Sequence, residues 1–241
     1  MTTDLGARLA SEAAGTGLLV GIGTGAIVAT AGVGVDRFAL LALAWFLAVS
    51  IPVVAFAGVS GAHLNPVVSL ALAGDRRLPL REVPPHVAAQ LLGALGGSAA
   101  VELLLGSGSH LGATIPAAIP LAEIFGAEFG GTFALVGCVL ALVRVGPGRW
   151  RWRLLWPGMV VAVSTFAIGP LTGSSLNPAR TLAPALLSGT YTDLWVYLLA
   201  SPLAALAAVA VVRRIERSGP VRGAATGLRG SVEGRDGLDP P

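Results

Sequence analysis

Six long runs of mostly apolar residues dominate this sequence, at roughly Ala10–Thr30, Phe38–Gly58, His86–Leu105, Leu121–Val143, Leu154–Leu171 and Leu194–Val212. A bilayer core takes about 20 such residues per helix, and lipid offers no partner for an unpaired backbone group, so runs of this length are read as helices. Only 12% of the 241 residues are charged, and the mean hydropathy of +0.77 is far from that of a water-soluble domain. The predicted fold class is therefore an all-α membrane protein. Glu12 and the length of the first run argue against a cleaved leader. The single cysteine, Cys138, lies inside the fourth run, where it reads as a small packing residue and permits no intrachain disulfide.

Every basic residue other than histidine is arginine, and the pI is near 10.0. Their placement points to topology rather than to nucleic acid. Arg76, Arg77 and Arg81 fall between runs two and three, Arg144, Arg149, Arg151 and Arg153 between runs four and five, and Arg213, Arg214 and Arg217 after run six. The alternate loops hold little beyond Arg37 and His110. The positive-inside rule then predicts a multi-pass protein of the plasma membrane with both termini cytoplasmic. Residues 218–241 are rich in Gly, Pro, Arg and Asp and are expected to form a disordered tail after a membrane domain spanning 1–217.

The chain repeats itself. Ser60-Gly-Ala-His-Leu-Asn65-Pro66-Val67-Val-Ser-Leu-Ala71 parallels Thr172-Gly-Ser-Ser-Leu-Asn177-Pro178-Ala179-Arg180-Thr-Leu-Ala183, and Glu12-Ala-Ala-Gly15-Thr16 parallels Glu128-Phe-Gly-Gly131-Thr132. The halves, about 8–106 and 120–217, each hold three runs. An odd number of crossings per half makes the second half enter from the opposite face, an inverted repeat. The apolar segments after each Asn-Pro are too short to cross, so they are expected to dip in and return beside a lumen. Asn is a favoured helix cap and Pro a favoured first helical residue. Inversion brings the two helix starts, with their positive dipole ends and carboxamide donors, together near the midplane, where they repel cations and orient a neutral solute.

Ser60-Gly-Ala-His63-Leu-Asn65-Pro66 and Asn177-Pro178-Ala179-Arg180, with Glu12, Glu128 and Ala89-Gln90-Leu91-Leu92-Gly93-Ala94, resemble the signature segments of the aquaporin, or major intrinsic protein, family over residues 8 to 217. The resemblance implies six transmembrane helices plus two re-entrant half-helices, a homotetramer with one pore per subunit, and passive passage of water or small uncharged solutes. Val67 departs from the usual Ala and is expected to narrow or reshape the Asn region. The resemblance puts a selectivity filter at Trp45, Thr165, Ser174 and Arg180. Trp45 opposite two small hydroxyls makes the expected opening wider than that of water-selective members, and resembles glycerol facilitators and plant nodulin-like channels. Glycerol and metalloid acids such as arsenite, boric or silicic acid are then expected beside water. Thr181, Ala185 and Tyr197 instead resemble the water-channel branch.

Ionised groups in lipid need partners. Glu12 and Glu128 are read as bracing the Asn-Pro loops, with proton carriage as the alternative. Arg180 is read as pore-lining against a snorkelling arginine, and Trp45 as filter against an interfacial belt residue. His63 reads as a hydrogen-bonded loop residue, while Glu102 and Glu123 reach the interface. No catalytic pairing and no metal-ligand spacing appears, so neither an enzyme nor a cofactor is expected. A secondary transporter is the competing class, because it too explains an inverted repeat with broken helices.

Overall fold

The computed structural model describes residues 4–34, 37–145 and 151–218. Arg149 and the tail beyond Ser218 lie outside the described residues. Eight α-helices form among them: α1 (Leu5–Ala29), α2 (Arg37–Phe56), α3 (Pro66–Gly74), α4 (Val83–Leu105), α5 (Leu121–Val145), α6 (Trp156–Thr172), α7 (Pro178–Ser188) and α8 (Leu194–Ser218). Six are long and apolar enough to cross a bilayer. α3 and α7 hold 9 and 11 residues, and at a rise of about 1.5 Å per residue they reach only half-way. The order long, long, short, long occurs twice, and the repeat extends to backbone angles. Gly61, Ala62 and Leu64 have φ of 91°, 49° and 53°, and Gly173, Ser174 and Leu176 have φ of 80°, 48° and 55°.

Between helices in lipid there is no apolar surface to hide from water, so close packing has to supply the attraction. α1 and α4 achieve it with small residues. A Cβ on Gly93 would lie 2.0 Å from the Ala13 carbonyl oxygen, and one on Gly97 would lie 2.4 Å from that of Gly17. α5 and α8 form the equivalent pair in the second half. Large apolar side chains are turned outward, with Leu43, Leu92 and Phe166 at 58%, 68% and 61% exposure, while Glu12, Gln90 and Glu128 are fully buried. That distribution is the reverse of a water-soluble protein and suits a lipid solvent.

Two ends of the bundle differ. At the arginine-rich end, Asp75 caps α3 and accepts from Arg77 Nε at 2.9 Å and Arg144 Nη2 at 2.7 Å. Arg144 Nε also meets Glu216 at 2.6 Å, and Arg77 Nη1 donates to the Val143 carbonyl at 3.2 Å. These contacts tie α3 to α5 and α8.

Two boundaries differ from the hydropathy expectation by more than a turn of helix. α1 begins at Leu5, capped by Asp4, whose side chain accepts from the Gly6 N–H at 3.1 Å. α8 runs on to Ser218, because arginine is a good helix former and its turns extend the helix beyond the apolar stretch.

Candidate pore and its constriction

Asn65 and Asn177 stand in extended backbone, immediately before the Pro that opens each half-helix. The Oδ1 of Asn65 accepts from the Val67 N–H at 3.1 Å, and that of Asn177 from the Ala179 N–H at 3.0 Å. Each amide nitrogen reaches across to the other half. Asn65 Nδ2 donates to the Leu176 carbonyl and Asn177 Nδ2 to the Leu64 carbonyl, both at 2.9 Å. Capping and lumen-facing roles therefore coexist in one side chain: the oxygen holds its own helix, one N–H locks the opposite loop, and the second N–H is left without a protein partner. Both asparagines line the central cavity, of about 180 Å³.

The loops that present these asparagines are satisfied from behind. Glu12 Oε1 accepts from Ser60 Oγ at 2.6 Å and the His63 N–H at 2.8 Å, and Oε2 from the Leu64 N–H at 2.7 Å and Gln90 Nε2 at 2.8 Å. Glu128 repeats the scheme with Thr172 Oγ1 at 2.6 Å, the Ser175 N–H at 2.9 Å and the Leu176 N–H at 3.0 Å. His63 lines the cavity, bonds Ser69 Oγ through Nδ1 at 3.1 Å and stacks on His86 with ring centroids 5.3 Å apart.

Arg180, 1% exposed, lies over the Trp45 indole with Cζ 4.8 Å from the ring centroid. Its Nη1 donates to the Gly112 carbonyl at 2.9 Å and its Nη2 reaches that of Gly173 at 3.5 Å, while Nε has no partner among the described residues. No carboxylate stands within salt-bridge distance of it among the described residues. Trp45 is 3% exposed inside the bundle rather than at an interface belt. Thr165 and Ser174 are buried with hydroxyls that lack protein partners, but neither lines the cavity that Trp45 and Arg180 bound. The structure thus brings two of the four filter positions into contact.

Val67 points elsewhere than expected. It is 2% exposed in the core that α3 shares with α5 and α8 and does not line the cavity. Val68 and Leu72, members of the same core cluster, do line it. Ala179 is likewise buried in the bundle core. Glu102 and Glu123 are exposed on their helices.

Residues 2–212 match the model of the family described as Major intrinsic protein. The chain belongs to the major intrinsic protein family. Within it, Nodulin-26 of Glycine max is 34% identical over 202 residues, covering 83% of this chain and 74% of that protein. Aquaporin NIP1-4 of Oryza sativa subsp. japonica is 37% identical over 203 residues, covering 83% and 73%. Among solved structures, the aquaglyceroporin from Plasmodium falciparum superposes with a TM-score of 0.78 at 27% identity, covering 88% of this chain and 97% of that one. As a member of this family the chain is a multi-pass channel for water and small solutes, not an enzyme.

Several partners at the site had escaped the sequence reading. Ser60 and Thr172 hold the same place in both repeats, so their shared hydroxyl was a readable signal. The Gly112 carbonyl that anchors Arg180 had none, because a backbone oxygen carries no residue code. Tyr197, whose hydroxyl donates to the Thr172 carbonyl at 2.7 Å, steadies the loop before Ser174 rather than lining the cavity.

Proposed function

We propose that this protein is a plasma-membrane channel, with both termini cytoplasmic, that passes water together with small uncharged solutes such as glycerol and neutral metalloid acids while excluding ions and protons. The observation that carries this reading is the reciprocal Asn65/Asn177 lock. It sets two half-helix N-termini against one point in the lumen, each with a spare amide N–H. A water or hydroxyl oxygen there accepts from both amides, which turns its hydrogens away from the constriction and interrupts proton transfer along the file. Arg180, held by carbonyls with no carboxylate in salt-bridge contact among the described residues, adds a positive potential that a cation must climb.

Glu12 and Glu128 act as braces. Three or four donors already converge on each, so neither is available to carry an ion or a proton in a coupled cycle, which favours a channel over a transporter. Trp45 and Arg180, in contact with each other, form one side of the narrow passage, and Thr165 and Ser174 are assigned to the same filter as hydroxyl partners of the solute. A broad apolar indole beside a guanidinium suits a molecule with a hydrocarbon edge and a hydroxyl edge. The mostly apolar cavity beyond it, walled by Val49, Val53, Val139 and Val161, accepts the same kind of molecule. Similarity to proteins named Nodulin-26 and aquaglyceroporin supports solutes beyond water. A homotetramer in the lipid bilayer, each subunit with its own pore, is the assembly in keeping with the family.

The test is stopped-flow light scattering on proteoliposomes with water, glycerol and boric acid. Wild type is expected to pass all three. Trp45→Phe combined with Thr165→His is expected to retain water flux and to lower glycerol flux by about tenfold or more, the scale on which a fitted site rejects a misfit. Unchanged glycerol flux in that variant refutes the filter assignment.

A further inference from the structure

The seat of Trp45 beneath Arg180 is shaped by a residue of α1 that does not itself line the cavity. A Cβ built on Gly23 of α1 would lie 2.5 Å from both Cη2 and Cζ3 of Trp45 and 2.7 Å from its Cε3. Real side chains do not approach that closely, so the indole occupies the space that a side chain at position 23 would fill. The next residue, Thr24, is seated against Gly112. A Cβ on Gly112, whose φ is +72°, would lie 2.8 Å from Thr24 Cβ and 3.0 Å from its Cα. Gly112 in turn supplies the carbonyl that accepts from Arg180 Nη1 at 2.9 Å. Thr24 is pinned to its own helix through Oγ1 donating to the Val20 carbonyl at 2.7 Å.

We propose that Gly23 is a positioning residue for selectivity: its missing side chain lets Trp45 retract against α1, and with Thr24 it makes one turn of α1 the common seat of Trp45 and of the Gly112 carbonyl that holds Arg180. The inference rests on the reading of Trp45 as a filter wall. A methyl group at position 23 displaces the ring from this seat, and the displaced indole takes up room in the cavity that it lines together with Arg180. The solute with the larger cross-section loses most. Water, the smallest, loses least.

Three variants test this in proteoliposomes with glycerol and water as probes: Gly23→Ala, Trp45→Ala and the two combined. Gly23→Ala is expected to lower the glycerol-to-water permeability ratio by about tenfold, the low end of what one methyl group costs in a fitted pocket. Trp45→Ala raises the ratio, and the combined variant matches Trp45→Ala, since without the indole there is nothing to displace. If Gly23→Ala alone fails to accumulate in the membrane, the combined variant must recover, because the clash has been removed. A combined variant that stays unfolded, or in which the two effects simply add, assigns Gly23 to helix packing and overturns the proposal. A Gly23→Ala ratio equal to wild type, alongside a clear effect of Trp45→Ala, overturns the positioning role alone. No effect of Trp45→Ala brings down the filter reading, and the proposal with it.

Discussion

Four donors converge on Glu12 and three on Glu128, and each set mixes loop N–H groups with a neighbouring hydroxyl. A carboxylate suits this because both oxygens accept. Glutamine is nearly isosteric but replaces one acceptor with an NH₂ that faces other donors. Glu12→Gln is therefore expected to orphan two donors, at about 1–3 kcal/mol for each buried group left unsatisfied. The check is a lowered thermal midpoint in detergent, accompanied by reduced water flux as the Asn65 loop loosens. A midpoint and flux equal to wild type would show that the carboxylate does not brace the loop. The sequence already pointed to this role, because the two glutamates recur at matching places in the repeat. It did not reveal Gln90 as a fourth donor to Glu12, since Gln90 has no counterpart contact at Glu128.

Among the elements, the half-helices depend on what grips them beyond their Asn-Pro caps. α7 is gripped through Arg180, and α3 through the Asp75 cluster with Arg77 and Arg144. Burial disfavours the ionised Asp75 carboxyl, but hydrogen bonds from Arg144 and Arg77 outweigh it and hold its pKa below the ordinary carboxylate value. A carboxyl depressed on folding contributes stability that is fully present above its unfolded pKa and fades as the pH falls through the folded one. Wild type is thus expected to lose thermal stability between neutral pH and the acid side of the ordinary aspartate range. Asp75→Asn should start lower and lose less over the same interval. Parallel losses in the two proteins would remove Asp75 from the account. The crossing helices were legible because a run of about 20 apolar residues admits few alternatives to a membrane helix. The ends of α1 and α8 were less so, because hydropathy measures the lipid-facing stretch and not the helix, which continues as long as caps and helix-forming residues sustain it.

For the molecule as a whole, the repeat fixes where the two Asn-Pro junctions meet, whereas solute choice depends on contacts between elements distant in sequence. Trp45 from α2 meets Arg180 from α7, Gly112 from the connection between the halves anchors that arginine, and α1 backs them both. None of these pairings lies within reach of a local motif, which is why the junction could be read from sequence and the geometry of the constriction could not. Val67 illustrates the same limit, since Val67 and Val68 share one core cluster and only the rotation of α3 decides that Val68 alone of the two also meets the lumen. The central claim is that the paired asparagines and an arginine held by backbone carbonyls let neutral solutes through and stop charge. Proteoliposomes loaded with a pH dye measure it most directly, with water and glycerol flux followed by light scattering and proton and potassium leak followed in the same preparation. The account predicts water and glycerol fluxes that rise linearly with the gradient, with proton and potassium leak no greater than in empty liposomes. Glycerol flux that saturates and requires a proton or sodium gradient, or a leak that rises with protein content, would contradict it.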